Sequence, residues 1–249
     1  MQVPGRRSIN DMRDAFADEA HFLNLIQSMR EAQSQSLERI RRTKAAGTFK
    51  ERRPGVRLLG LWDLDLRIFE SRYSLGIDVS ELQQEFSILV EELPGLEAFN
   101  SYQRNDTVVT LCSLAVLFDD NAAAARLASL LERDGAFHTR ACALLSHFDI
   151  PPEVKDPRNG MDEYWMGEAR VALTQGDSER ASSILHKYVD ELWFEYTYES
   201  GLRVITHERD QIGHVGYWCY EGAAFAKVAG IDDSRLEGHK YYPWDLAHP

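Results

Sequence analysis

The chain has 249 residues, 44% of them hydrophobic and 27% charged, with a net charge of -12. That composition suits a soluble globular protein with a sizeable core, and no apolar run approaches the ~18–20 residues that cross a bilayer, so no membrane partner is expected. The charge is uneven: the first 60 residues carry +5 and the remaining 189 carry -17, a field that repels nucleic acid and suits a basic partner.

The opening "MQVPGRRSIND" has two arginines but no apolar stretch behind them, so it is not expected to act as a secretory signal. Residues 8–46 read as one long helix. Ser8 with Asp11 resembles a capping box, and basic residues gather at the far end. "GTFKERRPG" (47–55) breaks it, and 56–76 is helical again. Asp78, with Glu81 three residues on, caps the next helix, which Pro94-Gly95 stops. Asp106 is the expected start of "TVVTLCSLAVLF", and a helix pair covers about 120–148. "DIPPEVKDPRNG" (149–160), with three prolines and a glycine, is the candidate boundary between a first half (1–148) and a second (161–249).

Residues 162–200 read as a helical hairpin turned at Gly176-Asp177, with Asp177 as a cap. Ile184, Leu185, Tyr188, Val189, Leu192, Trp193 and Tyr196 form one apolar stripe. The best strand candidate is the short "LRVITHE" (202–208). "RDQIGHVGYWCYEGAAFAKVAG" (209–230) reads as a buried helix weakened by Gly213, Gly216 and Gly222, with Gly230 as its C-terminal cap. Ser234 with Glu237 suggests a capped turn, and "KYYPWDL" a lid of aromatic side chains. The expectation is an all-α, compact bundle of about eight to ten helices, its two halves packed as one unit.

Signs of catalysis are weak. No C-x-x-C, H-E-x-x-H or phosphate-cradling glycine loop occurs, so no metal or cofactor is expected. Cys112, Cys142 and Cys219 are widely spaced among apolar or small residues, as buried free thiols are. His207 and His214 lack a third ligand at useful spacing. His214 and Cys219, five apart, do not face each other on a helix. Glu221 is a carboxylate within an apolar helix. It reads either as a general acid or base, or as the acceptor of hydrogen bonds from a tyrosine, an arginine or a helix end; the structural role is the expected one. A hydrolase working through Glu221 and His214 is the least favoured reading.

The arranged acids are on the surface. Glu191, Glu195 and Glu199 lie four apart along the edge of the apolar stripe, interleaved with Trp193, Tyr196 and Tyr198. Stacked like charges cost a helix ~0.2–0.5 kcal/mol per pair, which a cationic partner would offset. Exposed aromatics beside acids suit an interface that anchors and steers. Asp119 and Asp120 form a second acidic spot, also readable as a helix cap.

The C-terminal segment resembles the polymorphic nuclease immunity (PoNi) family. The matching pieces are Gly216-Tyr217-Trp218, Glu221 followed by Ala223-Ala224, Gly230-Ile231-Asp232-Asp233, and Tyr241-Tyr242-Pro243 with Asp245. The hairpin upstream of them is similar to the family's C-terminal half, and residues 10–120 resemble its partner region more loosely. The resemblance implies an all-helical, non-enzymatic protein of the bacterial cytoplasm. Its implied partner is one cognate DNase toxin of type VI secretion or a related system. It transfers no catalytic residues. The other reading is a helical adaptor or scaffold for another basic protein. Neither reading predicts the oligomeric state.

Overall fold

The computed structural model describes residues 12–49, 56–93, 101–133, 139–150, 165–195, 197 and 213–249. Every regular element among them is helical, as the apolar spacing predicts. The elements are α1 (Glu19–Ala45), α2 (Val56–Ser74), α3 (Val79–Glu91), α4 (Ser101–Leu117), α5 (Asn121–Arg133), α6 (Thr139–Leu145), α7 (Trp165–Thr174), α8 (Ser178–Lys187), α9 (Tyr220–Ala229) and α10 (Trp244–Ala247). A single π-helical turn, Tyr188–Leu192, prolongs α8, and 3-10 turns cover Ser146–Phe148 and Ser234–Leu236.

The chain divides into two compact units. One comprises Met1–Glu85 with Ile205–Gly216, the other Phe86–Val204 with Tyr217–Pro249. The first unit therefore borrows a short segment from late in the chain.

In the first unit α1 packs along α2. Leu25, Ile26 and Met29 of α1 and Ile68 of α2 form its apolar seam, flanked by Leu64, Leu75 and Val215. The helix begins at Glu19, not near Ser8, and residues 12–18 are irregular. The local chemistry explains this. The Asp14 carboxylate accepts from the backbone N–H groups of Phe16 and Ala17, which holds a turn that competes with helix. Arg13 donates to the carbonyls of Tyr73 and Ile77 at the end of α2. Asp18 then accepts from the N–H of His21 and starts the helix. The proposed Ser8–Asp11 cap lies outside the described residues.

The segment 214–219 is likewise not helical, although its composition suggested a helix from 209 onward. Its carbonyls are taken by side chains of α1 and α2. Arg67 donates to Gly213, Ser74 to Val215, and His21 meets the carbonyl of His214 at 2.8 Å. Gly216 adopts φ +114°, which other residues rarely reach. Continuous helix would forfeit all of these bonds. The strand candidate 202–208 lies outside the described residues.

In the second unit α4 packs against α5, α6 and α9, and α7 against α8. Leu111, Cys112, Leu114, Ala115 and Val116 of α4 are buried, as are Ala223, Ala224, Phe225 and Ala226 of α9. α4 starts at Ser101, so Asp106 lies inside it rather than at its head. The hairpin is as predicted: Asp177 accepts from the N–H of Arg180 and opens α8. Gly230 ends α9 in the left-handed conformation. Gly222 allows close packing, because a Cβ there would stand 2.9 Å from the Cys219 sulfur and 3.3 Å from Val189. All three cysteines are buried thiols outside any disulfide.

Candidate interaction surface

The predicted acidic face begins where α8 stops being α-helical. At the π turn the Trp193 N–H bonds back to the carbonyl of Tyr188, five residues earlier. Tyr188 and Trp193 therefore point the same way, into the core. Tyr188 stacks on Trp165 with ring centroids 4.3 Å apart, and Trp193 packs near Tyr241 at 5.5 Å. Phe194 stacks on Tyr241 at 5.1 Å and meets Tyr217 edge-on at 5.0 Å. Trp193 is only 6% exposed. It is a core residue here rather than a surface anchor, because the π turn directs it inward.

The acids face outward. Glu191 and Glu195 are exposed, as is Asp190, whose carboxylate lies 3.1 Å from the His239 ring nitrogen. The described part of this face thus carries three carboxylates over a core of aromatic rings. Tyr196, Tyr198 and Glu199 lie outside the described residues.

Asp119 and Asp120 sit at the turn between α4 and α5. Asp119 holds φ +50° and makes ion pairs with Lys227 at 2.7 Å and His147 at 3.0 Å. Partial burial alone would raise its carboxyl pKa, but the hydrogen bonds and positive charges of Lys227 and His147 outweigh burial and lower it. Asp120 accepts from the N–H of Ala123, capping α5, and from the Ser87 hydroxyl. Both carboxylates have intramolecular work, so this spot offers a partner less free charge than Glu191 and Glu195 do.

Glu221 opens α9 and is held by Arg140 of α6, whose Nη1 lies 3.0 Å from one carboxylate oxygen and 2.8 Å from the other. This is an arginine partner of the kind expected. Burial, reinforced by the Glu221 charge, pushes the Tyr188 hydroxyl and the Cys219 thiol well above their ordinary pKa values. A thiol so raised is a poor nucleophile. His214 lies with Asp14 in a fully buried pair, 3.2 Å between nearest atoms.

The C-terminal aromatics are tied to the residues around them. The Cys219 N–H donates to the carbonyl of Tyr241, and the Tyr242 hydroxyl donates to Asp233, which His248 also contacts at 3.0 Å. Ser234 lies inside the 3-10 turn rather than capping it: the N-cap residue is Asp233, which makes no side-chain cap bond, and Asp232 accepts from the N–H of Ser234. Among the described residues no three His, Cys, Asp or Glu side chains converge as a metal site. No helix among those residues is long and apolar enough to cross a membrane.

These features define an all-α protein whose signature carboxylates are tied up in its own framework, while other acids face solvent. Residues 151–246 match the family model for the C-terminal region of PoNe immunity proteins (PoNi), so this part of the chain is similar to that family. The match is to proteins that act as immunity proteins against nuclease toxins. Comparison with curated proteins and with solved structures finds no match.

Proposed function

We propose that the protein binds one cognate DNase toxin in the cytoplasm of the cell that makes it and silences that toxin without catalysis of its own. The observation that carries this reading is the family match over 151–246, joined to a surface on which Asp190, Glu191 and Glu195 stand exposed. A DNase must offer Lys and Arg to phosphates, so its cleft is basic. The -17 charge of residues 61–249 attracts such a cleft and repels DNA. The acidic face, with Glu199 in the sequence beyond it, meets the basic nuclease surface and competes with the phosphate backbone.

The test is co-expression with the nuclease encoded beside this chain. That nuclease alone should kill the host, and this chain should restore growth and co-purify with it. Growth arrest in the presence of a well-expressed chain would refute the immunity role.

A further inference from the structure

One imidazole fastens the C-terminal aromatics to the π turn. The Tyr241 backbone N–H donates to His239 Nδ1 at 3.3 Å, and His239 Nε2 lies 3.1 Å from the Asp190 carboxylate. A backbone N–H can only donate, so Nδ1 must offer its lone pair to Tyr241. The neutral ring then carries its single proton on Nε2, where a carboxylate oxygen waits to accept it. Both ring nitrogens are thus engaged, in opposite senses, and the two contacts select one of the two neutral tautomers.

The contact lies beside the acidic face. Asp190 belongs to the π turn, between buried Tyr188 and buried Trp193 in sequence. Tyr241 is buried too; Phe194 stacks on its ring, and its carbonyl accepts from the N–H of Cys219 at 2.8 Å. The His239 side chain keeps 15% of its surface exposed, so a proton from solvent can reach a ring that is otherwise packed. The titratable and charged groups beside it come from two sides. Asp190 and His186, whose ring centroid is 6.5 Å away, stand on the α8 side. Lys240 and Tyr241 follow it in the chain, with the Lys240 ammonium 4.7 Å above the Tyr241 ring. A second proton changes the contacts unequally. An imidazolium donates from both nitrogens. Nε2 keeps Asp190, now as an ion pair, whereas an N–H at Nδ1 would point at the N–H of Tyr241, donor against donor, and that bond is lost.

We infer that His239 is a proton-operated clasp: in its neutral form it ties the π turn to the backbone of Tyr241, and on taking a second proton it keeps Asp190 and releases Tyr241. The consequence falls on the acidic face. Of its three described carboxylates, Asp190, Glu191 and Glu195, the first then has a positive charge beside it. The rings of Phe194 and Trp193, which pack on Tyr241, lose one of the ties that hold their neighbour. Imidazole is the side chain that ordinarily changes charge nearest to neutral pH. Mild acid therefore lowers the charge of this face and loosens what lies under it in a single step. The clasp belongs to the chain alone and does not depend on which partner the protein has.

The experiment is nuclear magnetic resonance on the purified chain between about pH 8 and pH 5, the span over which histidines ordinarily titrate. At the upper end the His239 ring carbons should report the neutral tautomer protonated on Nε2. As the ring gains charge, the protection factor of the Tyr241 amide should fall by about fivefold, the scale of one net hydrogen bond, with the same midpoint as the ring. His239→Asn supplies an acceptor that does not titrate, of the kind asparagine offers to the N–H two residues on. Its Tyr241 amide should stay equally protected at both ends of the range. His186→Gln should leave the wild-type response in place. A neutral ring protonated on Nδ1 would overturn the inference, as would a ring that stays neutral throughout. So would a Tyr241 protection factor that does not follow the ring, or one that falls as far in His239→Asn as in wild type. Equal loss of protection along α4 and α9 would mark general unfolding by acid, and the clasp would be refuted.

Discussion

Arg140 and Glu221, 81 residues apart in sequence, meet through one guanidinium nitrogen that contacts both carboxylate oxygens, at 3.0 and 2.8 Å. The contact fastens α6 to the first turn of α9. It also explains why a carboxylate can sit within an apolar helix: the charge is paired where it is desolvated.

Glu221→Ala should lower stability by ~1–3 kcal/mol, since it removes a carboxylate partner from a largely buried guanidinium. Binding per folded molecule should not change. Urea denaturation of Glu221→Ala, Arg140→Ala and the double variant checks this, and the double variant should cost less than the sum of the singles. A fully stable Glu221→Ala that no longer neutralises the toxin would assign the carboxylate to a working site.

Gly222→Ala should destabilise by about 1–3 kcal/mol, the usual cost of forcing a methyl into a filled core. The obstacle is the Cys219 sulfur, 2.9 Å from the new Cβ. Cys219→Ala in the same chain should recover part of the loss. Thermal melts of the three variants decide it; additive losses would show that the sulfur is not the obstacle.

Asp14→Ala should cost more than Asp14→Asn, because Asp14 both meets buried His214 and accepts from two backbone N–H groups. The asparagine oxygen keeps the turn; alanine keeps nothing. The melting temperatures should fall in that order.

Stability should decline as pH rises above 10. Burial, with Asp233 accepting the hydroxyl proton, raises the Tyr242 pKa above its ordinary value of 10.0. Its contribution is fully present below the unfolded value and is lost as pH rises from there toward the folded value. Urea midpoints from pH 7 to 11 should fall less steeply for Tyr242→Phe than for wild type. Parallel curves would remove Tyr242 from the alkaline transition.

Reversing Glu191, Glu195 and Glu199 to lysine should weaken the toxin complex by several kcal/mol, the scale of like charges juxtaposed at an interface. Association of the wild type should slow with salt, as the Debye length falls from ~10 Å at 0.1 M to ~3 Å at 1 M. Rapid-mixing kinetics at both salt concentrations provide the check. Unchanged affinity in the triple variant would place the acidic contact elsewhere.

The helical class and several helix ends were legible because their causes are local. Asp78 accepts from the N–H of Ser80, Asp177 from that of Arg180, and Gly230 closes α9, all within a few residues. The start of α1 was misread because Arg13 and Asp14 are committed to partners some 60 and 200 residues away, which no local signal carries. The same holds at 214–219, where apolar, glycine-bearing sequence imitates helix until its carbonyls find α1 and α2. Of the candidate site, the outward acids Glu191 and Glu195 could be read from spacing. The inward turn of Trp193 could not, since a π turn leaves nearly the same apolar stripe as an α turn.

The late segment of the first unit sets an order of events during synthesis. Residues 1–85 leave the ribosome early, but Ile205–Gly216, which completes their unit, follows about 130 residues later. At about 5–20 residues per second that is an interval of roughly 7–26 s. Throughout it the α1–α2 pair lacks Val215 beside its apolar seam and the carbonyls that later receive Arg67, Ser74 and His21. The unit that holds α1 and α2 therefore stays unfinished until residue 216 has emerged.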